Sequence, residues 1–150
     1  MKTHLVVNFS KVLLNITLIM LGLSILWFIT IGLPFKYDIN TCIGLILASI
    51  YFLIVYDLRK IVYSTNSVPF CLDNVKRFKR IGCYMFLMAV IDGIVNWKKE
   101  SNFEFIAIQS GSIKGSFIMY IILACIALVL SEIFKQVQAV ELKNEKDITV

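Results

Sequence analysis

Residues Val12–Leu33 read VLLNITLIMLGLSILWFITIGL, twenty-two residues without a charge, and Pro34 follows at once. As a helix rising 1.5 Å per residue, such a run reaches about 33 Å, enough to cross a hydrocarbon layer of about 30 Å. It is too long for a signal-peptide core and no small-residue cleavage site follows it, so it reads as a retained span. Further along the chain three more apolar stretches stand out, which places spans at about 12–33, 41–57, 81–97 and 115–134. The middle two are short and need the interface to complete their crossing. The short segment Pro34–Asn40 predicts a tight turn, making the first two helices antiparallel neighbours. Backbone exposed to lipid must hydrogen-bond within its own helix, so the expected fold is all-α. It is a polytopic membrane protein whose residues 1–150 form a single transmembrane domain, an antiparallel four-helix bundle.

Composition agrees with this reading. The 150 residues are 59% hydrophobic and 17% charged, against about 45–50% and 25% for soluble domains. A chain this short buries proportionately little surface, so lipid has to cover the excess.

Lys and Arg set the orientation. Eleven fall in the N-terminal segment, the 58–80 stretch and the 135–150 tail, against four (Lys36, Lys98, Lys99 and Lys114) on the other side. The positive-inside rule then puts both termini in the cytoplasm, with Trp27 and Trp97 towards the outer interface. Residues 58–80 become a basic cytoplasmic loop with an amphipathic lead-in helix, and 135–150 a cytoplasmic tail continuing the fourth helix. In the lead-in, Val75, Phe78 and Ile81 recur every three residues. Lys76, Arg77, Lys79 and Arg80 fill the rest, a pattern suited to anionic lipid headgroups. Asp73 or Asn74 is placed to cap it. Phe103–Ile108 alternates weakly and reads as a short strand or an interfacial turn.

Polar residues inside the spans are the candidate sites. Asp92 lies five residues before Trp97, roughly 7–8 Å below the outer boundary. A carboxylate there is costly unless protonated, paired or hydrated. Lys114 heads the fourth span on the same side. Together they form a candidate intramembrane polar site. Asp92 is either a structural contact within the bundle or a proton-linked or ligand-binding carboxylate. On the cytoplasmic side Asn74, Arg77, Arg80, Glu132 and Asp147 form a candidate partner surface. Glu132 either bridges to Arg77 or Arg80, or these charges snorkel outward independently. Asn15 and Thr17 are expected to bond between helices. Cys42, Cys71, Cys83 and Cys125 are scattered and read as buried or interfacial thiols.

Several function classes drop out. His4 is the sole histidine, so a His-based metal site or catalytic triad is not expected. There is no phosphate-cradling glycine loop and no pair of broken spans of the kind that repeat-built transporters use. No cofactor is implied. The basic run lacks interleaved aromatics and any groove-reading unit, so direct nucleic-acid binding is not expected. Self-association in the bilayer stays open.

Two stretches carry a family resemblance. One holds Leu58-Arg59-Lys60-Ile61, Val68-Pro69-Phe70 and Asn74-Val75-Lys76-Arg77-Phe78-Lys79-Arg80-Ile81-Gly82. The other holds Leu130-Ser131-Glu132-Ile133-Phe134 and the closing Glu145-Lys146-Asp147-Ile148-Thr149-Val150. In this order they resemble the bacterial membrane family called domain of unknown function 2975. Ile148 stands where that family usually has Leu, and Cys71-Leu72 replaces a more polar pair. The resemblance implies four spans and no established enzymatic activity or site residues. Such proteins are often encoded beside a small helix-turn-helix regulator, which implies a membrane-bound partner or antagonist of a transcription factor. The expectation is therefore a non-enzymatic sensor or regulatory protein of the cell membrane that binds such a regulator. The alternative is a small transporter subunit or an immunity factor against a membrane-active peptide.

Overall fold

A computed structural model describes residues 2–32, 39–64, 70–98, 104–108 and 111–148. In chain order these form α1 (Lys2–Trp27), a π-helical turn (Phe28–Gly32), α2 (Ile39–Ser64), α3 (Leu72–Asn96), β1 (Glu104–Ile108), β2 (Gly111–Lys114) and α4 (Gly115–Ile148). The chain divides into two compact units, 1–69 and 70–150. Most of the tight turn expected at Pro34–Asn40 lies outside the described residues, as does Pro69.

Three stretches are long and apolar enough to cross a membrane: Val6–Thr30, Ile39–Ser64 and Gly115–Asn144. Among the described side chains of α1 none is buried. Phe9, Met20 and Trp27 each keep more than 60% of their surface exposed. A bare apolar face of that length is untenable in water and ordinary in lipid. The fourth stretch, expected over 81–97, is helical within α3, but Lys79, Arg80 and Asp92 keep α3 below the apolarity of the other three.

The helices outrun the apolar runs that announced them. α1 begins at Lys2 rather than near Val12, α2 continues through Asp57-Leu58-Arg59-Lys60 to Ser64, and α4 reaches Ile148. The 58–80 stretch, expected as a loop with a lead-in helix, is thus helical at both ends, its second part being the start of α3.

In the first unit α1 and α2 are antiparallel. Asn15 meets Arg59 and Tyr63. Further along, Gly22 faces Phe52, and beyond α1 Phe28 faces Gly44. Asn15 bonds between helices as expected. Thr17 does not: its hydroxyl donates to the Leu13 carbonyl at 2.9 Å, as Ser10 does to Val6 and Thr30 to Leu26. A short hydroxyl reaches the carbonyl four residues back and satisfies itself there. On α2, Ile50, Ile54, Asp57 and Ile61 are buried at spacings of four, three and four, one face of the helix. Asp57, expected where the span gives way to the loop, belongs to that buried face.

In the second unit α3 packs antiparallel on α4 through small residues. Ala89, Ala124 and Ala127 are buried, as is Ser131. A Cβ added at Gly82 would lie 2.8 Å from two atoms of Leu128. Lipid tails are as apolar as leucine, so close backbone approach of this kind, rather than expulsion of water, holds membrane helices together. Cys71 caps α3 with an extended backbone (φ −91°, ψ 152°) and no side-chain bond. Its carbonyl accepts from the Asn74 and Val75 amides, so neither Asp73 nor Asn74 is the cap. Asp73 sits in the first turn, where its charge favours the positive end of the helix.

The strand reading holds for Glu104–Ile108, Phe103 lying outside the described residues. β1 and β2 pair antiparallel, Glu104 opposite Lys114 and Ile108 opposite Gly111, with an irregularity between Glu104 and Ile106. Among the described residues, otherwise almost all helical, there is thus one small hairpin. The Ser112 amide donates to the Trp97 carbonyl at 3.0 Å and ties the hairpin to the end of α3. Gly111 lies so close to the Trp97 indole that a side chain there would collide with it.

Candidate functional site

Where the hairpin meets α3 and α4, a cavity of about 300 Å³ is lined by Asp92, Gly93, Trp97, Lys114 and Phe117, among others. Gly93 lets the Phe117 ring come within 3.3 Å of where a Cβ would stand.

Both oxygens of Asp92 are held. Oδ1 accepts from Asn96 Nδ2 at 2.7 Å, one helical turn along α3. Oδ2 accepts from Ser116 Oγ at 2.7 Å, across on α4. Donors of this kind offset much of the cost of a carboxylate in an apolar setting. Lys114, at the end of β2, is 8% exposed and lines the same cavity. The structure therefore brings Asp92 and Lys114 to one cavity, while the bonds to Asp92 come from Asn96 and Ser116. Asn96 was legible in sequence as the i+4 neighbour of Asp92. Ser116, 24 residues away, left no local signal. Chemically this is an apolar pocket with a carboxylate and an ammonium on its wall, at the small end of the range for small-molecule sites. It suits a compact amphipathic molecule better than a large polar one.

The candidates expected on the cytoplasmic side lie at the other end of the α3–α4 pair. Asn74 is completely buried, and its Oδ1 accepts from Arg77 Nη1 at 2.8 Å. Ser131 Oγ donates to the Val75 carbonyl at 2.9 Å and so crosses from α4 to α3. Phe134 stacks at about 5 Å on both Phe70 and Phe78, in tilted geometry. Glu132 is exposed and pairs with Lys135 on its own helix at 3.5 Å. The structure does not bring it to Arg77. Arg80 lies on α3, one turn on from Arg77. Asp147 falls in the last turn of α4, and its side chain lies outside the described residues.

The four cysteines are free thiols. Cys42, Cys83 and Cys125 are exposed and Cys71 is half-buried, so of the two readings, buried or interfacial, the buried one does not hold. Among the described residues no group of three His, Cys, Asp or Glu side chains could hold a metal ion.

Residues 23–150 match the model of the family described as "Protein of unknown function (DUF2975)". No curated protein and no solved structure is a match to this chain.

Proposed function

This chain belongs to the DUF2975 family, and from that premise we propose that it is a non-enzymatic sensor of the cell membrane that holds a cytoplasmic helix-turn-helix regulator and releases it when its outer cavity is filled. In this reading α3 is a fourth span beside the three apolar helices, both termini are cytoplasmic, and the Asp92 cavity opens near the outer surface. One observation carries it. The Asp92 cavity and the cluster at Asn74, Arg77, Ser131 and Phe134 occupy opposite ends of one tightly packed helix pair. Asp92 and Val75 are 17 residues apart on α3, about 25 Å at helical rise. A ligand that competes with Ser116 for Asp92 would shift α3 against α4, and the far end would register the shift. The basic face at the start of α3 rests on anionic headgroups and offers Arg77 and Arg80, with Glu132 and Asp147 on α4, to the regulator.

The test is co-expression with the helix-turn-helix protein encoded nearest to it. The regulator should fractionate with membranes only when this chain is present, and Arg77→Glu should free it. A regulator that stays soluble in both conditions sinks the proposal.

The same cavity supports a second reading, a transporter subunit or an immunity factor against a membrane-active peptide. Asp92→Asn distinguishes the two. In the second reading it changes transport or peptide resistance in cells that lack the regulator, whereas in the first it has no effect there.

A further inference from the structure

A second polar cluster lies in the first unit, and neither the cavity nor the α3 basic face uses it. Lys11 and Asn15 are one turn apart on α1, and Arg59 and Tyr63 one turn apart on α2. Asn15 joins them: Oδ1 accepts from Arg59 Nε at 2.6 Å, and Nδ2 donates to the Tyr63 hydroxyl oxygen at 3.0 Å. The exposed Tyr63 ring then carries two cations at once, with Lys11 Nζ 5.1 Å and Arg59 Cζ 5.0 Å from its centroid. The two charges are thus no more than about 10 Å apart. Among the described residues no carboxylate pairs with either. Two turns back from Tyr63, Lys60 Nζ lies 4.8 Å over the Tyr56 ring.

Like charges this close repel unless an anion lies between or beside them. The ring and the Asn15 bonds hold them there in advance, so little rotamer freedom is lost when an anion binds. The Arg59 bond to Asn15 uses Nε, and even with Tyr63 as a second partner the five-donor guanidinium keeps N–H groups for a tetrahedral oxyanion. The level is also right. Lys11 directly precedes the apolar run that begins at Val12, and Arg59 closely follows the run that ends near Tyr56, so both sit at the headgroup layer.

We infer that Lys11, Arg59 and Tyr63 form a phosphate-binding notch that takes the phosphodiester of an anionic membrane lipid. The inference rests on the membrane placement proposed above but is independent of the regulator.

The test is native mass spectrometry of the full chain purified in micelles containing equimolar phosphatidylglycerol and phosphatidylcholine. Wild-type protein should retain phosphatidylglycerol selectively. Lys11→Gln leaves every Asn15 bond in place and should lower that retention about fivefold, as expected for one cation at a lipid surface. Lys11→Gln with Arg59→Gln should abolish the selectivity. The control Lys135→Gln with Lys143→Gln removes equal charge elsewhere and should leave it intact. Selectivity unchanged in Lys11→Gln, or lost equally in the control, overturns the notch. Release of the lipid by millimolar inorganic phosphate overturns the lipid assignment and gives the notch to a soluble anion. The membrane reading fails separately, if the chain is recovered monodisperse without detergent.

Discussion

Gly82→Ala sets two known effects against each other on α3. Alanine in place of a mid-helix glycine normally stabilises by about 0.5–1 kcal/mol. Here the new methyl would stand 2.8 Å from Leu128 Cγ and Cδ2, and 3.3 Å from the Ala124 carbonyl oxygen. Carbon atoms settle at about 3.5–4.0 Å, so α4 must yield by more than half an ångström. Cδ2 can rotate away, but Cγ cannot without moving Leu128 as a whole, and the Ala124 carbonyl bars a slide towards it. Overpacking of this kind costs about 1–3 kcal/mol, which outweighs the propensity gain and leaves the variant less stable by about 1 kcal/mol. Unfolding in mixed micelles with increasing SDS measures it. Adding Leu128→Ala removes the obstructing atoms. The double variant should then recover about 1 kcal/mol relative to the sum of the singles, well above the 0.3–0.5 kcal/mol scatter of independent sites. If Gly82→Ala proves more stable than wild type, or the two changes simply add, the close α3–α4 contact described here is wrong.

Three further outcomes follow from named contacts. Gly111→Ala pushes a methyl into the Trp97 indole and should cost about 1–3 kcal/mol, with a shift in Trp97 fluorescence in a Trp27→Phe background; an unchanged spectrum would refute the contact. Asn15→Leu removes both bonds that join α1 to α2 at that level and strands a guanidinium nitrogen, which should lower stability in the same SDS titration by about 1–3 kcal/mol. Ser131→Ala keeps the small-residue seam and loses one bond to the Val75 carbonyl. It should cost only about 0.6 kcal/mol, and a loss several times larger would mean that the serine does more than bridge the two helices.

The sequence was most informative where lipid dictates composition. Four apolar runs among 150 residues leave few alternatives, and Val12–Leu33 is unambiguous even with Asn15 inside it. Helix ends were less legible, because an apolar run marks where lipid begins and not where backbone hydrogen bonding stops. Lys2–Lys11 and Arg59–Ser64 stay helical as the chain leaves the apolar zone, since nothing in them breaks a helix. Asn15 and Thr17 looked alike in sequence, yet only Asn15 reaches across: the threonine hydroxyl is short enough to be satisfied by its own helix. At the site, Asp92 announced itself because a carboxylate in an apolar run needs donors. Its i+4 donor could be read from the sequence, whereas Ser116 and the Trp97–Gly111 contact exist only once the chain has folded back. Glu132 shows the converse. An opposite charge on the next element was an attractive partner, but Lys135 lies three residues away on the same helix at no cost in loop ordering.

α3 differs from its neighbours in a way that bears on how a signal could pass through it. Of the four long helices it alone falls short of the apolarity needed to span a membrane unaided. Two of its polar groups find partners on α4: Asp92 on Ser116, the Val75 carbonyl on Ser131. Between those two bonds lie Gly82, Ala89, Ala124 and Ala127, small residues with almost no rotamer freedom to absorb a displacement, beside the larger Leu128, which meets Gly82. Where small residues meet, a displacement is passed to the backbone rather than taken up by side chains turning. That is the physical requirement for a two-state coupling element. It also sets the condition on any ligand of the cavity, which must satisfy Asp92 better than Ser116 and Asn96 together already do.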